Sequence, residues 1–390
     1  MPDASELPPA VVKTGLVSFF ADVSSEMLYP LTPILLTTIL GAPVAVVGLI
    51  EGVAEAIASL VKPVAGRFSD RFGKRVPFML WGYGLSALGK PLIALAQAWP
   101  LVLVARSVDR LGKGVRTGPR DAYIADSVDD AQRGRAFGWH RAFDTAGAVV
   151  GALLSLVLLW LTHDNLRLVV WLAFIPAVVS VFFIARLREV PRKTAAPAEP
   201  VDAPGHVALG STFRWYVAAW AVFAASNSSD AFIILRAKNV GLGTNAVILL
   251  YVLYNIVYAV ASPRLGSLSD RLGRRRVLVG GLLVFAAVYA GFAVVSSAWQ
   301  LIVLFAVYGI YVAATEGVGK AMAVDLVPAE GRAAAVGVLG MTTGIATLFA
   351  SVVAGALWTI FGPWAAFALG TVGAILAAGF LLLVPALRHT

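Results

Sequence analysis

Cysteine is absent from the 390 residues, which rules out a disulfide, a thiolate-bound metal and a cysteine nucleophile. Charge is scarce: Asp, Glu, Lys and Arg make up 14% of the chain, against about 25% in a soluble domain. Only four histidines occur, and His140 and His163 stand isolated, so no metal site is expected. The patterns HExxH, GxSxG and Walker A are missing, as is a paired-aspartate protease pattern. No enzymatic chemistry and no cofactor are therefore expected.

Apolar side chains fill the space the charges leave, at 59% of the chain. A soluble protein of this length would bury a large core and still need a charged outer surface. The missing charge means that the outer surface faces lipid. The formal net charge of +9 is one mark of nucleic-acid binding, but the basic residues fall in short connections between apolar spans and on no continuous face. A lipid bilayer is the expected partner, and nucleic acid is not. Met1 to Ala10 lack the basic start of a cleaved signal peptide, so the first apolar segment is expected to stay as a span.

A helix needs about 20 residues to cross about 30 Å of hydrocarbon. Segments near 13–39, 43–65, 76–97, 100–126, 135–161 and 166–187 meet this in the first half. Segments near 213–237, 244–264, 276–297, 299–326, 333–358 and 363–386 meet it in the second. The expectation is an all-α membrane protein of twelve transmembrane helices. Alternate connections are rich in Lys and Arg, from Arg67, Arg71, Lys74 and Arg75 through Arg186 and Arg192 to Arg274 and Arg388. The opposite connections hold almost none, apart from Arg167, Arg236 and Lys238, the last two expected to snorkel at the outer end of span seven. The positive-inside rule then places both termini in the cytoplasm. An inner-membrane location and action as a monomer are further expectations. The Pro- and Ala-rich stretch from Arg192 to Gly210 reads as a linker, dividing the chain into 1–190, a linker at 191–212, and 213–390.

The two halves repeat each other. Gly66, Asp70, Arg71 and Gly73 recur as Gly266, Asp270, Arg271 and Gly273, about 200 residues on, each set between two apolar spans. Ser24-Ser25-Glu26 matches Ser228-Ser229-Asp230, Pro63 matches Pro263, and Asp126 matches Asp325. Six crossings per half leave both halves in the same orientation, a parallel repeat. The spans, the parallel halves and the doubled Gly-x-x-x-Asp-Arg-x-Gly-Arg/Lys-Arg loop resemble the major facilitator superfamily. That resemblance implies two six-helix bundles and alternating access to a central site. It also implies a gating role for the loop residues. In the family the matching aspartate engages a helix end of its own bundle and the arginines form cytoplasmic ion pairs, which favours the outward-facing state. Gly73 and Gly273 supply the tight turn. Without the resemblance, the same charges read as topology anchors.

Polar residues inside a span are costly and usually functional. Asp22, Glu26 and Tyr29 share one face of span one, and Glu51 and Glu55 lie four apart in span two. Span four carries Arg106, Asp109, Arg110, Lys113 and Arg116, none of which can face lipid. The simplest arrangement pairs the acids of spans one and two with these bases. The pairs are either static, or broken by an arriving proton, or partly left open for an anionic substrate. A carboxylate that alternates between a paired and an unpaired state is a proton-coupling device. The second half offers Asn227 and Asp230, then Tyr251, Asn255 and Tyr258, then Glu316 and Lys320, the last two spaced to pair. These read as ligand contacts or as bridges between helices.

The expected function is a secondary active transporter that exports a small solute in exchange for protons. The segment from Asp109 to Ala122 resembles a signature of one bacterial branch of the superfamily, some members of which are linked to metal or siderophore handling. A metal-, siderophore- or anion-related permease is therefore the alternative, and a non-transporting receptor or scaffold is a third reading. Span five has Gly147 and Gly151 but lacks the Gly-Pro pair of the drug/proton antiporters. Substrate, direction and stoichiometry are not legible in the sequence.

Overall fold

The computed structural model describes residues 8–129, 132–190, 210–328 and 331–384. Regular structure there is helical throughout. The helices are α1 Pro9–Leu28, α2 Leu31–Ile34, a short π-helix at Leu35–Ile39, α3 Val44–Phe72, α4 Val76–Ala94, α5 Trp99–Asp126 and α6 Arg133–Leu161. They continue as α7 Leu166–Leu172, α8 Phe174–Ala185, α9 Ser211–Ala224, α10 Ala231–Asn239, α11 Thr244–Leu272, α12 Arg274–Val294, α13 Ala298–Asp325, α14 Arg332–Phe361 and α15 Pro363–Leu383. The linker expected at 191–212 lies almost entirely outside the described residues, as do Arg192 and Arg388.

Among the described residues, eight helical stretches are long and apolar enough to cross a membrane: α3, α6, the α7–α8 pair, α11, α12, α13, α14 and α15. The other four expected spans are helical but differ for local reasons. The first breaks after Leu28, where Pro30 and Pro33 cannot continue the backbone ladder, and it resumes as α2 and the π-helix. The seventh is interrupted between Ala225 and Asp230. The single Lys90 inside α4 and the several charges inside α5 lower their hydropathy.

The described residues form two compact units: 8–35 with 57–190, and 36–56 with 210–384. In the first unit, α1 packs along α6 and α4 along α5. Both pairs approach through glycine. A side chain at Gly147 or Gly151 would strike the backbone of Phe19 or Val23, and one at Gly112 would strike Gly82 and Ser86. Small residues let helix backbones close up where lipid supplies no hydrophobic drive.

In the second unit the first half of α3 lies on α14, with Gly48 against Ser351, Gly52 against Leu348 and Gly355 against Ala45. The Ala45 amide donates to Thr359 Oγ1 at 3.1 Å. The core of this unit is aromatic: Phe285 stacks on Tyr289 at 3.9 Å between ring centres, and Phe292 and Phe367 stack at 5.4 Å.

Arg236 reaches from α10 to the end of α12: the residue is 8% exposed, and it donates to Phe292 O at 2.9 Å and Val295 O at 2.7 Å. These carbonyls end α12 and have no partner in their own helix, so a guanidinium fork is a better match for them than water at a lipid boundary.

Candidate functional site

The first unit encloses a polar cavity of about 40 Å³, enough for a small cluster of waters. α1 contributes Asp22, Ser25, Glu26 and Tyr29 to its wall. α5 contributes Arg106, Asp109, Arg110, Lys113 and Arg116. The lining bases Arg106, Arg110, Lys113 and Arg116 outnumber the acids Asp22, Glu26 and Asp109 by four to three. The helix-one face read from the sequence and the charged face of span four thus meet at one place. Glu51 and Glu55 do not line this cavity. Glu51 is buried in the second unit and Glu55 is exposed, so the shared helix face does not bring them to one site.

The most buried ion pair of the site involves a residue the motifs did not single out. Lys90 of α4 is 1% exposed, and its Nζ donates to Asp109 Oδ1 at 2.7 Å and to Ser86 O at 2.8 Å. Arg106 Nη1 stands 3.6 Å from Asp109 Oδ2, so two bases share one carboxylate. The Arg116 guanidinium lies over the Tyr83 ring at 4.2 Å, and no protein group accepts from its buried Nε. Arg106 faces the Tyr29 ring at 5.9 Å. Lys90 carried one signal in the sequence, a base inside an otherwise apolar segment.

Towards the α5 end of the unit, a second polar chain connects α1, α4 and α6. Ser18 Oγ is 2.8 Å from His140 Nε2 and 3.1 Å from the Tyr83 hydroxyl. His140 Nδ1 is 3.5 Å from Asp144 Oδ2. Asp144 lies within electrostatic reach of Asp22, giving a carboxylate pair across the α1–α6 seam. No group of three or more metal-ligating side chains occurs among the described residues.

The loop motif forms the same cluster twice. In the first copy, Arg75 Nη1 meets Asp70 Oδ1 at 2.6 Å and Ser69 Oγ at 3.0 Å, and its Nε meets Asp126 Oδ2 at 3.4 Å. In the second, Arg274 Nη1 meets Asp270 Oδ1 at 2.5 Å and Ser269 Oγ at 2.5 Å, and its Nε meets Asp325 Oδ2 at 3.2 Å. The cations that hold the aspartates are thus Arg75 and Arg274, while Arg71 and Arg271 are exposed. Gly73 and Gly273 turn with φ of +64° and +93°, which permits the tight connection. Gly66 faces Gly118 of α5, where a Cβ on Gly118 would approach its Cα at 3.2 Å. Only the first copy adds Glu189, whose carboxylate accepts from the Arg75 and Val76 amides at the start of α4, at 3.0 Å and 2.9 Å.

In the second unit Asp230 stands at the break before α10. It accepts from Tyr254 Oη at 2.9 Å and from Tyr308 Oη at 2.6 Å. Asn227 Nδ2 donates to Tyr311 Oη at 3.0 Å. Glu316 pairs with Lys320 at 3.2 Å, as its spacing predicts, and also accepts from Tyr258 at 2.8 Å. Asn255 bonds within its own helix, to Tyr251 O at 2.9 Å. Tyr308 and Tyr311 were missed because a tyrosine in an apolar helix gives no sequence cue to its partner.

Comparison with known proteins bears on the whole chain. The profile described as Major Facilitator Superfamily matches residues 14–236 and 215–390. An uncharacterized MFS-type transporter of Methanocaldococcus jannaschii is 36% identical over 386 residues, covering 97% of this chain and 96% of that protein. The multidrug resistance protein MdtH of Proteus mirabilis is 28% identical over 191 residues, 49% of this chain and 47% of that one. The solved nucleoside transporter NupG, in a mutant form, shares the fold with a TM-score of 0.81 at 14% identity, covering 96% of this chain and 99% of its own.

Proposed function

Because the chain belongs to the Major Facilitator Superfamily and is a multi-pass membrane transporter, we propose that it is a proton-coupled carrier that exports a small solute by alternating access. Twelve crossings in two parallel halves, an inner-membrane location, cytoplasmic termini and action as a monomer are part of the same reading. The observation that carries it is the enclosed cavity where Asp22 and Glu26 of α1 face the bases of α5. Carboxylates at membrane depth beside movable cations can take up a proton as their partners withdraw, then release it as the partners return. The neighbouring carboxylate of Asp144 gives Asp22 a second group with which to share that proton. Export is supported by the likeness of half the chain to a multidrug resistance protein. The loop clusters around Asp70 and Asp270 are assigned to gating, each fastening two helix ends of its own unit.

The test is flux in proteoliposomes under an imposed pH gradient, with solutes screened by the proton movement they evoke in a trapped pH dye. Asp22→Asn and Glu26→Gln are expected to lower gradient-driven flux more than tenfold while leaving the protein folded. Undiminished proton-driven flux in both variants would remove the coupling assignment. No flux with any solute would favour a receptor or scaffold.

A further inference from the structure

We propose that Asp144, His140 and Ser18 form the cytoplasmic outlet of the proton path, carrying a proton from Asp22 along the seam between α1 and α6. This deepens the transporter reading and rests on it. Three observations converge on the assignment.

Register comes first. On α6, His140, Asp144, Gly147 and Gly151 recur three or four residues apart, hence on one face. Ser18 and Asp22 lie four apart on α1 and meet that face. Ser18 Oγ is 2.8 Å from His140 Nε2, and a Cβ on Gly147 would stand 3.2 Å from the Cβ of Asp22. Asp144 sits between these two levels of α6, within electrostatic reach of Asp22. The proton-bearing groups thus follow the seam in steps of about one helical turn, about 5.4 Å. In the transporter reading both helices start at the cytoplasm, so Ser18 and His140 are the steps nearest that side.

Second, Asp144 has an open position. Its Oδ2 is 3.5 Å from His140 Nδ1, whereas its buried Oδ1 accepts from no protein group. A buried acceptor without a donor is costly. A proton bound at Oδ1 relieves that cost, and Asp22 is a carboxyl group in reach that can supply it.

Third, His140 is placed to hand a proton on. It is 4% exposed, with an acid at one ring nitrogen and a hydroxyl at the other. An imidazole can accept at one nitrogen while donating from the other. The O–H bond of Asp144 breaks as an N–H bond forms at Nδ1, and the proton on Nε2 passes to Ser18 Oγ. The Ser18 hydroxyl proton then moves to the Tyr83 hydroxyl, 3.1 Å away, or to water from the cytoplasm. Return of the ring to its first tautomer resets the relay. Around this path α1 presents Asp22, α4 Tyr83, α5 Arg116 and Arg120, and α6 Arg141. Arg120 also donates to Ser18 Oγ at 3.4 Å and to the partly exposed Asp121 at 3.0 Å, which ties the seam to the surface. Positive charge beside the ring favours passage of a proton over its storage there.

The experiment uses the full chain in detergent micelles, with the proton itself as probe. A flash releases protons from 2-nitrobenzaldehyde, and time-resolved infrared spectroscopy follows the carboxyl C=O band of buried acids. Asp144→Asn is expected to remove part of that band. His140→Gln and Ser18→Ala are expected to slow its rise at least tenfold while its final amplitude stays. A merely structural role would not separate rate from amplitude in this way. If His140→Gln does not fold, Ser18→Ala still carries the test. An unchanged rate in the folded relay variants would overturn the proposal, as would a band unchanged in Asp144→Asn or missing from the natural protein. Slowed protonation in the variants without proton-driven flux in proteoliposomes would remove the coupling reading and leave this path standing. Proton-driven flux in the natural protein, with protonation unslowed in the variants, would remove this path and leave the coupling.

Discussion

Lys90 shows how much one buried partner can matter. Its Nζ touches only Ser86 O and Asp109 Oδ1 among the hydrogen bonds it makes, inside a tightly closed α4–α5 seam. Removing one member of a buried pair leaves the other charge uncompensated and costs roughly 3–5 kcal/mol. Lys90→Met is therefore expected to lower the unfolding midpoint strongly in detergent, and Lys90→Met with Asp109→Asn to recover most of the loss. A double variant no more stable than the single one would mean that Arg106 alone sets the state of Asp109. At this scale the sequence was partly legible. Charged residues in apolar segments announced a site, because no lipid-facing position tolerates them. Their partners were not announced: Lys90 meets Asp109 across 19 positions, and the choice between Lys90 and the bases on Asp109's own helix depends on how α4 and α5 are rotated.

At the scale of the element, glycine decides which helices can touch. Gly112 on α5 lies against the backbone of Gly82 and Ser86, so Gly112→Val is expected to push α4 and α5 apart. Overpacking of this kind costs on the order of 1–3 kcal/mol, and here it would also disturb the Lys90–Asp109 pair. Gly84 is the control. Nothing lies within 4 Å of a Cβ placed there, so Gly84→Ala should be neutral or should stabilise by about 0.5–1 kcal/mol through lower backbone entropy. Differential scanning fluorimetry of the two variants checks both outcomes. A well-folded Gly112→Val protein with an unchanged midpoint would mean that the seam is looser than its geometry. The breaks in the first and seventh spans also belong to this scale. The first falls at Pro30, and the second at the polar run Asn227-Ser228-Ser229-Asp230, whose side chains compete with the helix for backbone hydrogen bonds.

For the whole molecule, the two motif clusters are the parts that repeat. Each joins the end of one long helix to the start of the next and to a more distant aspartate, Asp126 or Asp325. Asp70→Asn removes the shortest contact of Arg75 in the first copy. The variant is expected to bias the carrier towards the cytoplasm-open state. The absence of native cysteine makes this measurable, because a single introduced thiol has no background. With Ser25→Cys as reporter in the cavity wall, labelling from the cytoplasmic side should rise several-fold in the Asp70→Asn background. An unchanged labelling pattern would count against the gate.

Composition and spacing alone determined that this protein is helical, lives in lipid and repeats itself. These properties follow from local chemistry: a polar surface is missing, apolar runs have the length of a bilayer, and a glycine must turn where two helices meet tightly. Tertiary structure decided which charges meet one another, as Lys90 and Arg106 meet on Asp109. That outcome depends on helix rotation and on backbones close enough for a lysine of one helix to reach an aspartate of the next. Spacing along the chain carries no record of such distances.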